Sequence, residues 1–132
     1  MSGEALSRPP LDAGIAEILS KLPPMHFPTN SDEISQFHEA VLESLAPATD
    51  AILSDPNIQI ESSQINGPRG DIPLVILRPK SAISSSDLCP GILFLHGGAM
   101  ISGNPFNGLN IVSDMITELN AVVISVDYRL AP

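Results

Sequence analysis

A short apolar run passes directly into a pair of glycines over residues 91–100, which read Gly-Ile-Leu-Phe-Leu-His-Gly-Gly-Ala-Met. The unbroken apolar character of the run is typical of a strand that is covered on both faces of a sheet. Glycines directly after such a strand adopt backbone conformations that other residues avoid, and they let a ligand approach the main chain closely. In open α/β sheets, ligands bind at the carboxyl ends of the strands. The segment therefore predicts a buried strand followed by a ligand-binding turn.

The residues after this turn predict a βαβ unit. Asn104-Pro105 suits the cap and first turn of a helix. A second apolar run at 121–126 predicts another buried strand, and a crossover of this length implies a parallel, right-handed strand pair. The apolar stripe of the helix between the strands consists of Leu109, Val112, Met115, Ile116 and Leu119.

Two amphipathic helices are predicted before the first strand. Apolar residues recur at helical spacing over 11–22 and over about 31–45. Asn30 and Glu33 have the spacing of a capping box at the start of the second helix. We expect Pro47 to end that helix, because proline removes a backbone donor and clashes with the preceding turn.

From about residue 57 the apolar period changes from helical to alternating. Residues 58–78 predict an antiparallel hairpin of two strands around a turn at 66–71, which is rich in glycine, proline and asparagine. A polar loop at 80–90 then leads to the apolar run. The order of elements predicts an α/β protein in which a hairpin precedes a βαβ unit.

Composition excludes several classes of protein. Hydrophobic residues make up 43% of the 132 residues, which is enough to form a core. The net charge of −9 disfavours binding to nucleic acid or anionic membranes, which needs clustered basic residues. Cys89 is the only cysteine, and no apolar run approaches the roughly 20 residues that span a bilayer. With no secretory signal apparent, we expect a cytoplasmic protein with no membrane span, no nucleic-acid partner, no metal and no cofactor.

The glycine turn suits the stabilisation of an oxyanion. Acyl transfer places negative charge on a carbonyl oxygen, and backbone N–H groups at about 2.7–3.1 Å from that oxygen stabilise it. Side chains near those amides would obstruct the ester, which favours glycine there. Phosphate binding is the competing interpretation, because Gly98 and Gly103 have the spacing that begins a P-loop. Asn104-Pro105 stands where that motif needs Lys and Ser or Thr, so nucleotide binding is disfavoured.

Two segments resemble hormone-sensitive-lipase-like esterases, a branch of the α/β-hydrolase fold. Residues 91–100 resemble their oxyanion-hole strand, whose motif is usually His-Gly-Gly-Gly, and 127–132 is similar to their Asp-Tyr-Arg-Leu-Ala-Pro. The order of two helices, a hairpin and a βαβ unit agrees as well. The resemblance implies cap or lid helices over 1–55 and the N-terminal half of the α/β-hydrolase core over 56–132.

Carried over by motif, the resemblance gives roles to the four residues of the turn. Gly98 and Ala99 would supply the oxyanion-hole N–H groups, and His96 and Gly97 would shape the loop. Ala99 departs from the usual third glycine, so it adds strain of about 1 kcal/mol or more if its φ is positive. His96 is then a structural neighbour of the hole and not the catalytic base.

The second motif is expected to be structural. Asp127, Tyr128 and Arg129 would form it, with the Arg129 guanidinium forking onto a carboxylate to lock the loop. The resemblance also implies that the strand at 91–96 pairs with 121–126 on one side and with the strand before the nucleophile elbow on the other. Without that second partner, Ile92, Leu93, Phe94 and Leu95 would lie on an open sheet edge through which the chain could self-associate.

No serine in these residues lies within a Gly-x-Ser-x-Gly motif. The resemblance places the nucleophile, the acid and the histidine beyond Pro132, because the triad order in this fold is Ser, acid, His. We therefore expect a carboxylic-ester hydrolase family member that carries the oxyanion-hole half, acts in completed form on a small acyl ester and is inactive as 1–132 alone. The alternative is a non-catalytic fragment or interaction module derived from that fold.

Overall fold

In a computed structural model, residues 10–22, 27–81 and 88–132 are described, so part of the predicted polar loop at 80–90 lies outside them. The four strands are β1 (Ile58–Ile65), β2 (Ile72–Pro79), β3 (Gly91–Phe94) and β4 (Val122–Val126). The α-helices are α1 (Ala13–Lys21), α2 (Ser31–Leu53) and α3 (Ser113–Glu118), and a 3₁₀ turn spans Leu109–Ile111. Within these residues no helix is both long enough and apolar enough to cross a membrane.

The strands form one mixed sheet in the order β1-β2-β4-β3. β1 and β2 pair antiparallel with Ile58 opposite Pro79, which confirms the predicted hairpin. β4 pairs antiparallel with β2 and parallel with β3, with Gly91 opposite Val122. The parallel pair confirms the predicted βαβ unit, and β3 lies at one edge of the sheet formed by the described residues.

The predicted start of the crossover helix at Asn104-Pro105 is wrong. The Asn104 side chain accepts a hydrogen bond from the Phe106 N–H at 2.8 Å, and its carbonyl accepts one from Asn107 N–H at 2.9 Å. These local bonds form a turn, because an asparagine side chain competes with helical hydrogen bonding. Gly108 follows with φ +84°, and helical structure begins only after it. Three residues of the predicted apolar stripe are nevertheless buried: Leu109, Val112 and Ile116.

Helix α2 runs eight residues further than the sequence predicts, to Leu53 rather than about residue 45 (53 − 45), and it contains Pro47. The expectation that Pro47 ends the helix is therefore wrong. Proline removes the bond to the Glu43 carbonyl, but both residues are exposed, so water can solvate that carbonyl. Continuing the helix also buries Ile52, which is 5% exposed, in the core.

The cap of α2 agrees with the sequence in its main feature. The Asn30 side chain accepts a hydrogen bond from the Glu33 N–H at 3.0 Å, as a capping box requires. The Glu33 carboxylate reaches back one residue further than the motif predicts and accepts hydrogen bonds from the Thr29 N–H and hydroxyl. The two contacts fix where the helix begins.

Helix α1 (Ala13–Lys21) confirms the helix that the sequence predicts within 11–22. Asp12 caps it by accepting hydrogen bonds from the N–H groups of Gly14 and Ile15. Lys21 pairs with Glu17 at 2.7 Å on the surface. No residue of α1 is buried, so its apolar stripe faces away from the core of the described residues.

The core lies on one face of the sheet, and β3 is covered on that face alone. Ile92 and Phe94 pack against the core, whereas Leu93 and Leu95 are 68% and 62% exposed. The prediction that β3 is covered on both faces is therefore wrong for the described residues. All of their buried helical residues belong to the core on one face of the sheet, so none of them covers the other face. That core consists of Ile52, Ile58, Val75, Leu77, Leu109, Val112, Ile116 and Val123.

Candidate active site

The glycine turn follows β3 directly and has an unusual backbone. Gly98, Ala99 and Met100 all have positive φ, at +133°, +53° and +63°. A Cβ atom on Gly98 would lie 1.9 Å from the carbonyl oxygen of Ser102, which no side chain can accommodate. Glycine is therefore required at position 98 both for its φ and for the close approach of the backbone.

Ala99 stands where the family motif has its third glycine, and its positive φ means that its backbone is strained. An L-residue in the left-handed region costs roughly 1–2 kcal/mol, while a glycine adds about 0.4–1 kcal/mol of entropy to the unfolded chain. Ala99→Gly is therefore expected to raise the free energy of unfolding by about 0.5–1 kcal/mol. Ala40→Gly, on the exposed face of α2, is the matched control and should lower it by about 1 kcal/mol. Denaturant unfolding of both variants measures the difference, and equal losses in both would contradict strain at Ala99.

Two side chains hold the carbonyl of Gly97. The Nδ1 atom of His96 lies 2.8 Å from that oxygen, and the Asn107 side-chain amide donates to it at 3.1 Å. A carbonyl can only accept, so Nδ1 of His96 carries a proton. His96 is 4% exposed, and its Nε2 atom is buried with no hydrogen-bond partner among the described residues. His96 is thus enclosed in the turn, which agrees with a loop-shaping role.

The carbonyl of Gly98 is held by the end of the same turn. It accepts hydrogen bonds from the N–H groups of Ile101 and Ser102, both at 3.0 Å, and from the Ser102 hydroxyl at 3.1 Å. By contrast, the N–H groups of Gly98 and Ala99 donate to no acceptor within the described residues. Ala99 is exposed and Gly98 half-buried. The turn therefore holds the carbonyls of Gly97 and Gly98 and leaves the N–H groups of Gly98 and Ala99 among those available to a ligand.

The second motif braces the first. The Tyr128 ring stacks on the His96 imidazole with centroids 4.2 Å apart and planes 11° from parallel, and its hydroxyl donates to the His96 carbonyl. Ala131 N–H donates to the Met100 carbonyl at 2.8 Å. The segment that follows β4 is therefore hydrogen-bonded to the glycine turn at His96, before the glycines, and at Met100, after them.

The neighbours of Tyr128 fix the chain to the hairpin. Asp127 N–H donates to the Pro73 carbonyl at 3.0 Å. The Arg129 guanidinium donates to the Arg69 carbonyl at 3.1 Å. The expectation that Arg129 forks onto a carboxylate is therefore wrong for the described residues, because the hairpin turn presents a main-chain carbonyl at that point. Arg129 still ties the loop down.

Sequence reasoning missed the polar residues that support the turn. Ser102 and Asn107 hold its carbonyls, as described above. Ser125 lies fully buried in β4 and donates to the Pro105 carbonyl at 2.6 Å. A serine in the otherwise apolar 121–126 run was the available signal, since a buried hydroxyl needs a partner.

A shallow groove of about 330 Å³ lies between α2 and the loops at the carboxyl ends of β3 and β4. Ile34 and His38 line it on the helix side, and Ile101, Leu130 and Ala131 line it on the loop side. The described residues contain no cluster of three or more His, Cys, Asp or Glu side chains that could hold a metal ion.

Comparison with known proteins agrees with this geometry. A family model described as the alpha/beta hydrolase fold matches residues 92–132, which include both motifs. A probable mitochondrial carboxylesterase of Arabidopsis thaliana is 25% identical over 123 residues, covering 89% of this chain and 31% of the relative. Arylacetamide deacetylase of Bos taurus is 38% identical over 81 residues, covering 60% of this chain and 19% of the relative. The solved esterase of Pyrobaculum calidifontis superposes with a TM-score of 0.64 at 26% identity, covering 93% of this chain and 36% of that one.

The sheet, the glycine turn and these matches show that the chain has part of the α/β-hydrolase fold. Within that fold, the chain is similar to carboxylesterases and to an arylacetamide deacetylase, which agrees with the resemblance to hormone-sensitive-lipase-like esterases. The chain spans about a third or less of the length of the relatives and structures given above.

Proposed function

We propose that residues 96–99 form the oxyanion hole of a carboxylic-ester hydrolase. The N–H groups of Gly98 and Ala99 are the donors, and His96 and Gly97 set the geometry of the loop. The observation that carries this proposal is that the N–H groups of Gly98 and Ala99, at the carboxyl end of β3, have no acceptor among the described residues, while the carbonyls of Gly97 and Gly98 in the same turn are held. The family match supports the reaction class.

The chemistry follows from where charge develops. When a nucleophile attacks the ester carbonyl, the electron pair of the C=O bond moves onto oxygen. Two fixed N–H dipoles stabilise that oxygen without having to reorganise during the reaction. The nucleophile, its base and the acid belong to the completed protein, by which we mean residues 1–132 followed by an α/β-hydrolase triad. His96 does not act as the base, because its ring is enclosed by Tyr128 and the turn.

We further propose that 1–55 forms a cap over a core that begins at 56. The groove supports this assignment, because its helix side is the N-terminal half of α2 and its loop side adjoins the glycine turn. An acyl chain held there would contact Ile34 on the helix side and Ile101 and Leu130 on the loop side, beside the polar Ser35, His38 and Glu39. Closure of such a cap would exclude water from the site.

Residues 1–132 alone are expected to show no turnover of p-nitrophenyl butyrate, because no serine in them lies in a nucleophile elbow. The completed protein should hydrolyse the same ester. Both proteins are assayed at equal concentration after a second purification, with and without a serine-directed phosphonate. Phosphonate-sensitive turnover by 1–132 would contradict the proposal.

One observation favours a non-catalytic interaction module as the second candidate. The apolar stripe of the first helix is exposed rather than packed, with exposed fractions of 48–62%. Exposed apolar stripes of this kind mark contact surfaces. The transcript beyond codon 132 separates the two candidates, since an in-frame Gly-x-Ser-x-Gly supports the hydrolase and an early stop codon supports the module. The stripe consists of Leu11, Ile15, Ile18, Leu19 and Leu22.

A further inference from the structure

We infer that Asn107 and Ser102 are positioning residues that aim the two oxyanion-hole amides from behind. The inference rests on the proposed function of Gly98 and Ala99. Neither side chain needs to touch the substrate, because each acts on the carbonyl end of a peptide group whose other end is a proposed donor.

The argument begins with the planarity of the peptide bond. The carbonyl of one residue and the N–H of the next lie in one plane and, in a trans peptide, point in opposite directions. Fixing the carbonyl therefore fixes the direction of the N–H. A hydrogen bond to the carbonyl oxygen of a peptide group therefore orients the N–H on the opposite side of the same group.

The first donor plane joins Gly97 and Gly98. Its carbonyl oxygen is held by two donors, Nδ1 of His96 at 2.8 Å and the amide of Asn107 at 3.1 Å. Two donors restrict rotation of the plane more than one can, because tilting the oxygen toward one lengthens its bond to the other. The Gly98 N–H is consequently directed away from both side chains.

The second donor plane joins Gly98 and Ala99. Its carbonyl oxygen accepts three hydrogen bonds, two of them from Ser102, which is 1% exposed. The Ala99 N–H is thereby directed away from Ser102. Each proposed donor is thus opposed by a buried or half-buried polar group on the far side of its own peptide.

Asn107 is itself held in place by the main chain. Its N–H donates to the Asn104 carbonyl at 2.9 Å, which closes the turn that replaced the predicted helix start. The turn is therefore part of the site, because it brings the Asn107 amide within reach of Gly97. His96 is fixed separately, by the Tyr128 ring.

The experiment compares Asn107→Asp with Asn110→Asp in the completed protein. Asn107→Asp replaces the donor by an acceptor of the same shape, which repels the Gly97 carbonyl. Asn110 is exposed in the 3₁₀ turn, so its variant adds the same charge without touching the loop. Asn107→Ala is the second variant, because it removes the donor without adding a charge.

The readouts are kcat and KM for p-nitrophenyl butyrate, Tm, and Kd for an alkyl trifluoromethyl ketone, whose serine adduct carries the oxyanion. Loss of one oxyanion-hole donor lowers kcat by about 10²–10³-fold, so misalignment of one should lower it by about 10-fold. We expect that loss in both Asn107 variants, with a parallel weakening of ketone binding and KM within about twofold. Asn110→Asp should match the unmodified protein.

An unchanged kcat in Asn107→Asp and Asn107→Ala would overturn the positioning role of Asn107, and an unchanged kcat in Ser102→Ala would overturn that of the Ser102 hydroxyl. A fall in kcat accompanied by an equal rise in KM and by a lower Tm would also overturn the positioning role, because the three changes together would indicate a general structural role. A separate variant tests the proposed function itself: lactic acid replaces Ala99, so the protein lacks that N–H. If that protein and its counterpart with glycolic acid at Gly98 both keep their kcat, the oxyanion hole lies elsewhere; if they lose kcat while the Asn107 variants do not, only the positioning role is wrong.

Discussion

Replacing Ala99 by lactic acid in the completed protein is expected to lower kcat by about 10²-fold or more. The replacement exchanges one N–H for an ester oxygen and keeps the side chain, so it removes a single donor from the turn and also makes the Gly98 carbonyl a weaker acceptor. Proline at position 98 would be a less specific test, because Gly98 has a φ of +133° that proline cannot adopt. Replacing Gly98 by glycolic acid removes the other donor and should have an effect of similar size.

The matched control places lactic acid at Ala13, at the exposed start of α1. It introduces the same ester bond on the surface and should leave kcat unchanged. Pre-steady-state acylation with p-nitrophenyl butyrate measures the chemical step directly. An acylation rate within about twofold of the unmodified protein at both position 98 and position 99 would refute the assignment of the hole.

Residues 1–132 by themselves are expected to self-associate through β3, and Leu93→Lys should reduce that association strongly. β3 pairs with β4 on one side and with no other described strand, while Leu93 and Leu95 are more than half exposed. An uncharged apolar edge strand is a template for pairing with another chain, and a lysine on such an edge opposes it. Sedimentation velocity at micromolar concentration measures the distribution of species.

Leu119→Lys is the control for this experiment. Leu119 is 60% exposed but lies at the end of α3 rather than on the sheet edge, so its replacement should leave association unchanged. A monodisperse monomer of the unmodified chain with a sharp thermal transition would contradict the prediction. It would show that these residues form a domain of their own and favour the interaction module.

The features that the sequence predicted well are those with a strong local period. The alternation of apolar and polar residues predicted the β1–β2 hairpin. Two unbroken apolar runs separated by a helical stripe predicted the parallel β3–β4 pair. The location of the glycine turn followed from the same pattern. The match of residues 92–132 to the alpha/beta hydrolase fold agrees with the resemblance seen in the two motifs.

The features that the sequence did not predict depend on contacts distant in the chain or on local competition. Pro47 stays within α2 because burial of Ile52 one and a half turns later favours a longer helix. Asn104 forms a turn because its side chain competes with the helix that its neighbours would begin. The pairing of Tyr128 with His96 spans 32 residues, and no periodicity encodes it.

The bond between the two motifs also matters for protein engineering. The turn after β3 is held from the neighbouring strand end by the Tyr128 ring and by the hydrogen bond from Ala131 to Met100. A graft of the glycine loop into another parallel sheet would lose both supports if it were moved as a single segment. The transplantable unit is therefore a pair of adjacent strand ends, and a recipient scaffold must supply two neighbouring parallel strands in matching register to accept it.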